Sequence, residues 1–292
     1  MQTMRSALSV LSGVLVFAAI VPSPSLVAQQ QPDRGVQVGV PAGRGGRAAE
    51  PGRGRGRNAG PPAPAPRNTD GRALLAGATP ADKGVWLPGP VVPDPLGPSK
   101  ELPFQPWAGA LFANRRTHQL EPHARCKPSG VARVFLTPYG VEITEIPELK
   151  RVYIFDIGGP HSFRTIYLDG RGHPKNVSPT YYGHSIGWWE GDTLVIDTVG
   201  FNESFWLDRG GLPNTEQLRT VERITRTNMT TLRYELTVDD PGAYTRPWTG
   251  QLNLIWENNT ELFEYVCQEQ NYAHELMVGQ ATKVDRSSPI IP

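Results

Sequence analysis

Residues 181–202 read YYGHSIGWWEGDTLVIDTVGFN. Two runs rich in β-branched and aromatic residues flank Glu190-Gly191-Asp192, which is the composition of a hairpin. A two-residue turn on Glu190-Gly191 sets Trp189 opposite Asp192, Trp188 opposite Thr193, Ile186 opposite Val195 and His184 opposite Asp197. Directly opposed residues share a face with Cβ atoms about 5 Å apart. A turn on Gly191-Asp192 keeps His184 and Asp197 on one face but diagonal. A three-residue loop puts them on opposite faces, because a one-residue slip reverses every side chain.

The same pattern runs outward from this hairpin. Strands are expected at 133–137, 141–146, 151–157, 163–169, 184–189, 193–199, 218–226, 231–239, 248–257 and 261–267, joined mostly by short turns. About ten antiparallel strands with one short helix (105–117) imply an all-β fold, a lipocalin-like barrel or else a β-sandwich. Succession of neighbouring hairpins favours the barrel, and a barrel of this size leaves room for one small ligand.

The N-terminal part is different material. Arg5 and the apolar run 7–21, ALSVLSGVLVFAAIV, read as a secretory leader ending near residue 28, too short for a comfortable membrane span. Residues 29–72 carry Arg-Gly and Pro-Ala steps with almost no large apolar side chain, the composition of a disordered linker. Eight arginines and three acids fall there, and Arg5 in the leader. Residues 73–292 therefore keep 20 basic and 25 acidic groups, a net of −5. Residues 73–130 read as an extended proline-rich wrap with the short helix, 131–275 as the barrel domain, and 276–292 as a flexible tail. Export makes the protein periplasmic or secreted. It removes nucleic acid as a partner and leaves weak envelope contact through the Arg-Gly stretch. No apolar run after the leader is long enough to span a bilayer as a helix. Cys126 and Cys267, the two cysteines, are expected to form one disulfide; two buried thiols are the alternative.

The run GHSIGWWEGDTLVIDTVGFN, with IYLDGRGHP before it and DDPGAYTRPW after it, resembles a family of uncharacterised secreted proteins from soil bacteria, over roughly residues 100–275. That resemblance implies no catalytic residue. The strand succession is loosely similar to lipocalin and calycin barrels, which hold hydrophobic small molecules.

Two clusters carry the candidate chemistry. His184 oriented by Asp197 is a general base or acid near neutral pH. Trp188, Ile186 and Val195 on the same face supply an apolar wall. In FRTIYLDGRGHP (163–174), Asp169-Gly170 marks a turn, Arg171 is an oxyanion anchor and His173 a second titrating group. Arg164, Tyr181 and Tyr182 are further candidate ligand contacts. Each has a plainer reading: a buried histidine satisfied by one carboxylate, or Asp169 pairing with Arg171 inside the turn. His161, His173 and His184 lack metal-site spacing, and no nucleophile elbow, phosphate loop or dinucleotide fingerprint occurs. The expectation is a cofactor-independent, metal-free acid/base enzyme (lyase, isomerase, hydratase or hydrolase) for an apolar or aromatic small molecule in a barrel pocket. Its rival is a non-catalytic binding protein of the same fold.

Overall fold

Nine strands close into one barrel, and the first comes from the stretch whose prolines disguise it. The computed structural model describes residues 61–79, 81–89, 96–97, 99–158 and 161–267. The strands are β1 (Gly84–Pro88), β2 (Val141–Ile146), β3 (Arg151–Asp156), β4 (Ser162–Tyr167) and β5 (His184–Glu190). They continue through β6 (Thr193–Val199), β7 (Arg219–Asn228), β8 (Thr231–Asp239) and β9 (Trp248–Asn258). Each strand pairs with the next in sequence, and β9 returns to β1 over five residue pairs, Gly84↔Asn258 to Pro88↔Leu254. All pairings are antiparallel except β4 with β5, so the barrel is mixed. The leader, most of the 29–72 stretch and the 276–292 tail lie outside the described residues.

Four expectations change. The expected surface wrap contains a strand: residues 84–88 form β1, with Trp86 fully buried and its Nε1–H donating to the Leu75 carbonyl at 2.7 Å. Pro88 is tolerated because it ends the strand. Residues 133–137 are not a strand. Arg133–Leu136 form a 3-10 turn with all four side chains buried, so it does not show the alternation of a half-buried strand. Residues 261–267 are irregular chain, crossing to the Cys126–Cys267 disulfide with a Cα–Cα distance of 5.6 Å. Finally, residues 61–72 of the expected linker are docked on the barrel. Arg67 pairs with Asp192 and Arg72 with Glu145, both at 2.8 Å, and the Met229 N–H donates to the Ala63 carbonyl. The one α-helix among the described residues, α1 (Pro106–His118), starts on a proline at its first position, where a missing N–H costs nothing. Among the described residues no helix is long and apolar enough to cross a membrane.

The barrel interior is filled. Trp86, Ile143, Ile154, Ile166, Leu194, Leu232 and Leu236 are inward and buried. The Phe135 ring from the 3-10 turn packs 4.4 Å from that of Tyr234. Full burial of such a side chain contributes roughly 1.5–3 kcal/mol. A polar system shares this interior: Arg164 ion-pairs with Glu222, both essentially buried, and the Tyr234 hydroxyl donates to Glu222 at 3.0 Å.

Candidate functional site

The β5–β6 hairpin sets the site. Its turn is Gly191-Asp192, with Glu190 opposite Thr193. Gly191 has φ +59°, the region a II′ turn requires of its first central residue, and a glycine adopts it without strain. Glu190 stays in the strand, where it accepts from Trp188 Nε1 (2.9 Å) and Arg223 (2.8 Å). The register is therefore the diagonal one. His184 faces Val199, Asp197 faces Ile186, and the directly opposed His184–Asp197 pair is not formed.

Alternation decides which way these residues point. Ser185 and Gly187 are buried inward, and His184, Ile186 and Trp188 are outward, with Trp188 44% exposed. Opposite them, Val195 and Asp197 share the outer face. These hairpin candidates thus lie on the outside of the barrel and not in its lumen. Lumenal space goes instead to the packed side chains named above.

His173 joins the two halves. It enters from the crossover between β4 and β5 and lies between His184 and Asp197. Its Nδ1 is 2.9 Å from His184 Nδ1, and its Nε2 is 3.7 Å from Asp197 Oδ2. Asp197 is held from the other side by Arg219, whose Nε and a terminal nitrogen donate at 2.9 and 2.7 Å. His184 stacks on Tyr167 with ring centroids 5.4 Å apart. The Arg171 guanidinium lies 4.0 Å over that same Tyr167 ring while pairing with Asp169.

Charge selects the tautomers. His173 Nε2 is buried with no hydrogen-bond partner among the described residues, and the Asp197 carboxylate lies 3.7 Å from it. A proton on that nitrogen is attracted to Asp197; a lone pair there is repelled. With Nε2 protonated, neutral His173 presents Nδ1 as acceptor, so His184 Nδ1–H donates to it. His184 Nε2 then carries a lone pair, open to solvent. Burial, then His173, then Arg171 lower the His184 pKa below its ordinary value, which keeps the ring neutral at pH 7. Burial raises the Asp197 carboxyl, but the hydrogen bonds and charge of Arg219 outweigh it and hold Asp197 ionised. The arrangement can accept a proton at His184 Nε2 and spread the resulting charge through His173 to Asp197.

Of the residues expected at a site, His173, His184, Asp197 and Arg171 come together, with Ile186, Val195 and Trp188 on the same face. Three do not join them. Arg164 points inward and gives its donors to Ser185, Thr198 and Glu222. The Tyr182 hydroxyl bonds Ser162 Oγ at 2.6 Å, and burial pushes its phenol pKa up. Tyr181 packs against the core. Tyr167 and Arg219 were not expected. Alternation in LRTVERITR already gave Arg219 and Val221 one face, but nothing local tied that face to Asp197. The Asp169–Arg171 pair forms inside the turn, as its plainer reading held. His161 lies apart, its Nε2 accepting from the Tyr265 N–H at 2.8 Å.

Among the described residues no group of three or more His, Cys, Asp or Glu is arranged to hold a metal ion. No family model matches the chain, and neither does a curated protein or a solved structure.

Proposed function

We propose that the protein is an exported acid/base enzyme acting on a small apolar or aromatic molecule at the outer face of the β5–β6 hairpin. His184 Nε2 is the base, His173 relays charge, and Asp197 is the orienting anion. The observation that carries this reading is the 2.9 Å Nδ1–Nδ1 contact aimed at an ionised carboxylate. A purely structural histidine needs one partner; this one has an ordered chain of two groups behind it and a free lone pair in front. The chemistry is removal of a weakly acidic C–H or O–H proton, with return of that proton to the product from the same imidazolium. Trp188, Ile186 and Val195 offer the apolar surface next to it. Export is proposed from the leader-like residues 5–28, and the Cys126–Cys267 disulfide is compatible with it.

The filled interior gives no support to the rival reading as a lumenal carrier. An outer-face binding protein is its remaining form, and the test separates the two. A panel of enolisable aromatic ketones and aromatic esters is incubated with the protein in D2O, following hydrolysis and deuterium wash-in. General base catalysis is worth typically 10²–10⁴-fold, so His184→Ala should remove that factor while binding persists. His173→Phe should cost less. Turnover equal in His184→Ala and wild type refutes the assignment. Ligand binding with no turnover across the panel establishes the binding protein instead.

A further inference from the structure

A cavity of about 320 Å³ opens at the Ser162 end of β4. It is lined by Glu142, Phe155, Asp156, Ile157, His161, Ser162, Phe163 and Leu262. The β4–β5 register sets His184 level with Thr165, two residues along from Phe163, so the cavity neighbours the proposed acid/base site but shares none of its residues.

Its chemistry follows from register. Glu142 on β2 faces Phe155 on β3, which faces Phe163 on β4. These three side chains form one row across the outer surface, with ring centroids of Phe155 and Phe163 6.2 Å apart and Tyr153 stacked on Phe155. Leu262, on the segment tied down by Cys267, adds an apolar side chain to the lining.

Glu142 supplies the charge at one end of this row. Glu142 accepts only a 3.2 Å hydrogen bond from Thr144 and has no cationic partner among the described residues. No lysine or arginine lines the cavity, and Asp156 turns its carboxyl inward to Ser129 Oγ and the Gly158 N–H, which leaves Glu142 as the carboxylate facing it. His161 Nε2 already accepts from the Tyr265 N–H, so its neutral ring presents Nδ1–H. A partly desolvated carboxylate without a countercharge, set beside aromatic faces, is the pattern that recognises organic ammonium ions. The volume falls at the lower end of the 300–1,000 Å³ usual for small-molecule pockets.

We infer that this cavity binds a small organic cation, a protonated or quaternary amine with an apolar body, its charge on Glu142 and its body against Phe155 and Phe163. The test is calorimetric titration of the disulfide-intact protein with phenyltrimethylammonium chloride, with sodium chloride at equal ionic strength as blank. The uncharged isostere tert-butylbenzene is followed by NMR. Saturable binding is expected, at least tenfold weaker for Glu142→Gln and for Phe163→Ala. Phe163 is exposed enough that its loss leaves the fold in place. The isostere should bind at least tenfold more weakly than the cation. A thermal melt of each variant confirms folding. Absence of saturation up to tens of millimolar, equal affinity in Glu142→Gln, or equal affinity for the isostere overturns the inference. None of these outcomes bears on His184 turnover, so the two proposals fail separately.

Discussion

Arg164→Met is the perturbation with the largest consequence written into the structure. Arg164 and Glu222 are 2% and 0% exposed, so neither charge is stabilised by water. The guanidinium donates to Ser185 Oγ at 3.0 Å, to Glu222 Oε1 at 2.9 Å, to Thr198 Oγ1 at 2.7 Å, and to Glu222 Oε2. Removing it leaves Glu222 a buried carboxylate whose remaining donor is the Tyr234 hydroxyl. Breaking a buried pair from one side costs about 3–5 kcal/mol, a large share of the roughly 5–15 kcal/mol available to a domain. With a urea m-value of about 2 kcal/mol/M, the midpoint should fall by roughly 2 M. Glu222→Gln alone strands the arginine and should cost a similar amount. The double variant has no buried charge left, so its loss should be well below the sum, with a coupling energy of at least about 2 kcal/mol. The assay is urea unfolding followed by tryptophan fluorescence on all four proteins at pH 7. Additive single effects, or a single-variant loss below about 1 kcal/mol, would refute the view that this pair is desolvated and mutually dependent. Ser185 and Thr198 are the inward neighbours of His184 and Asp197, so the same network fixes the backbone beneath the outer-face site. Arg164→Met should therefore also broaden the His184 NMR resonances.

Other outcomes follow from the same structure. If neutral His184 is the base, turnover should rise with pH through a midpoint below 6.5, because burial, His173 and Arg171 disfavour the imidazolium. Asp197→Asn removes the anion behind the relay and should move that midpoint lower still, in a pH–rate profile. His123, buried beside Ser129, has its pKa pushed down from 6.5 to about 4. The unfolded chain takes that proton first, so His123 withdraws roughly 3 kcal/mol of stability as pH falls from 6.5 to 4. Asp156 and Asp208, pushed up by burial from 3.8 to about 6, do the opposite, since the folded state holds those protons first. Two such carboxyls outweigh one histidine, so these three groups together should raise wild-type stability by roughly 2 kcal/mol from pH 6 to 4. His123→Asn should gain roughly 3 kcal/mol on wild type over pH 7 to 4 in urea titrations; parallel curves would contradict the burial argument. Replacing Cys126 and Cys267 by serine opens a loop whose ends are 141 residues apart and should cost about 2–4 kcal/mol, read as a lower Tm.

Strands announced themselves wherever one face was core and the other water. Val152, Ile154 and Asp156 alternate with Tyr153 and Phe155, and that period identified β3 without further help. The same rule failed where burial ceased to alternate. Arg133–Leu136 are buried on every side because they plug the barrel, so their apolar run imitates a strand while the backbone turns. Trp86 lies on a strand flanked by prolines, and only its tertiary partners on β9 show that the segment closes the sheet. The site was half legible for a related reason. Sequence periodicity places His184 and Asp197 on one face under either two-residue turn, but it cannot say which face is inward. That choice was made by Ser185 and Thr198 bonding Arg164, contacts that reach across the β4–β5 crossover and depend on its path. Inserting His173 between His184 and Asp197 depends on the path of an irregular crossover, for which no periodicity exists. The relay is thus a product of tertiary geometry, and its one local signature is the diagonal register set by a positive φ at Gly191. Replacing Gly191 with a β-branched residue should strain that turn and disturb the His173–His184 contact, although neither histidine is within six residues of it.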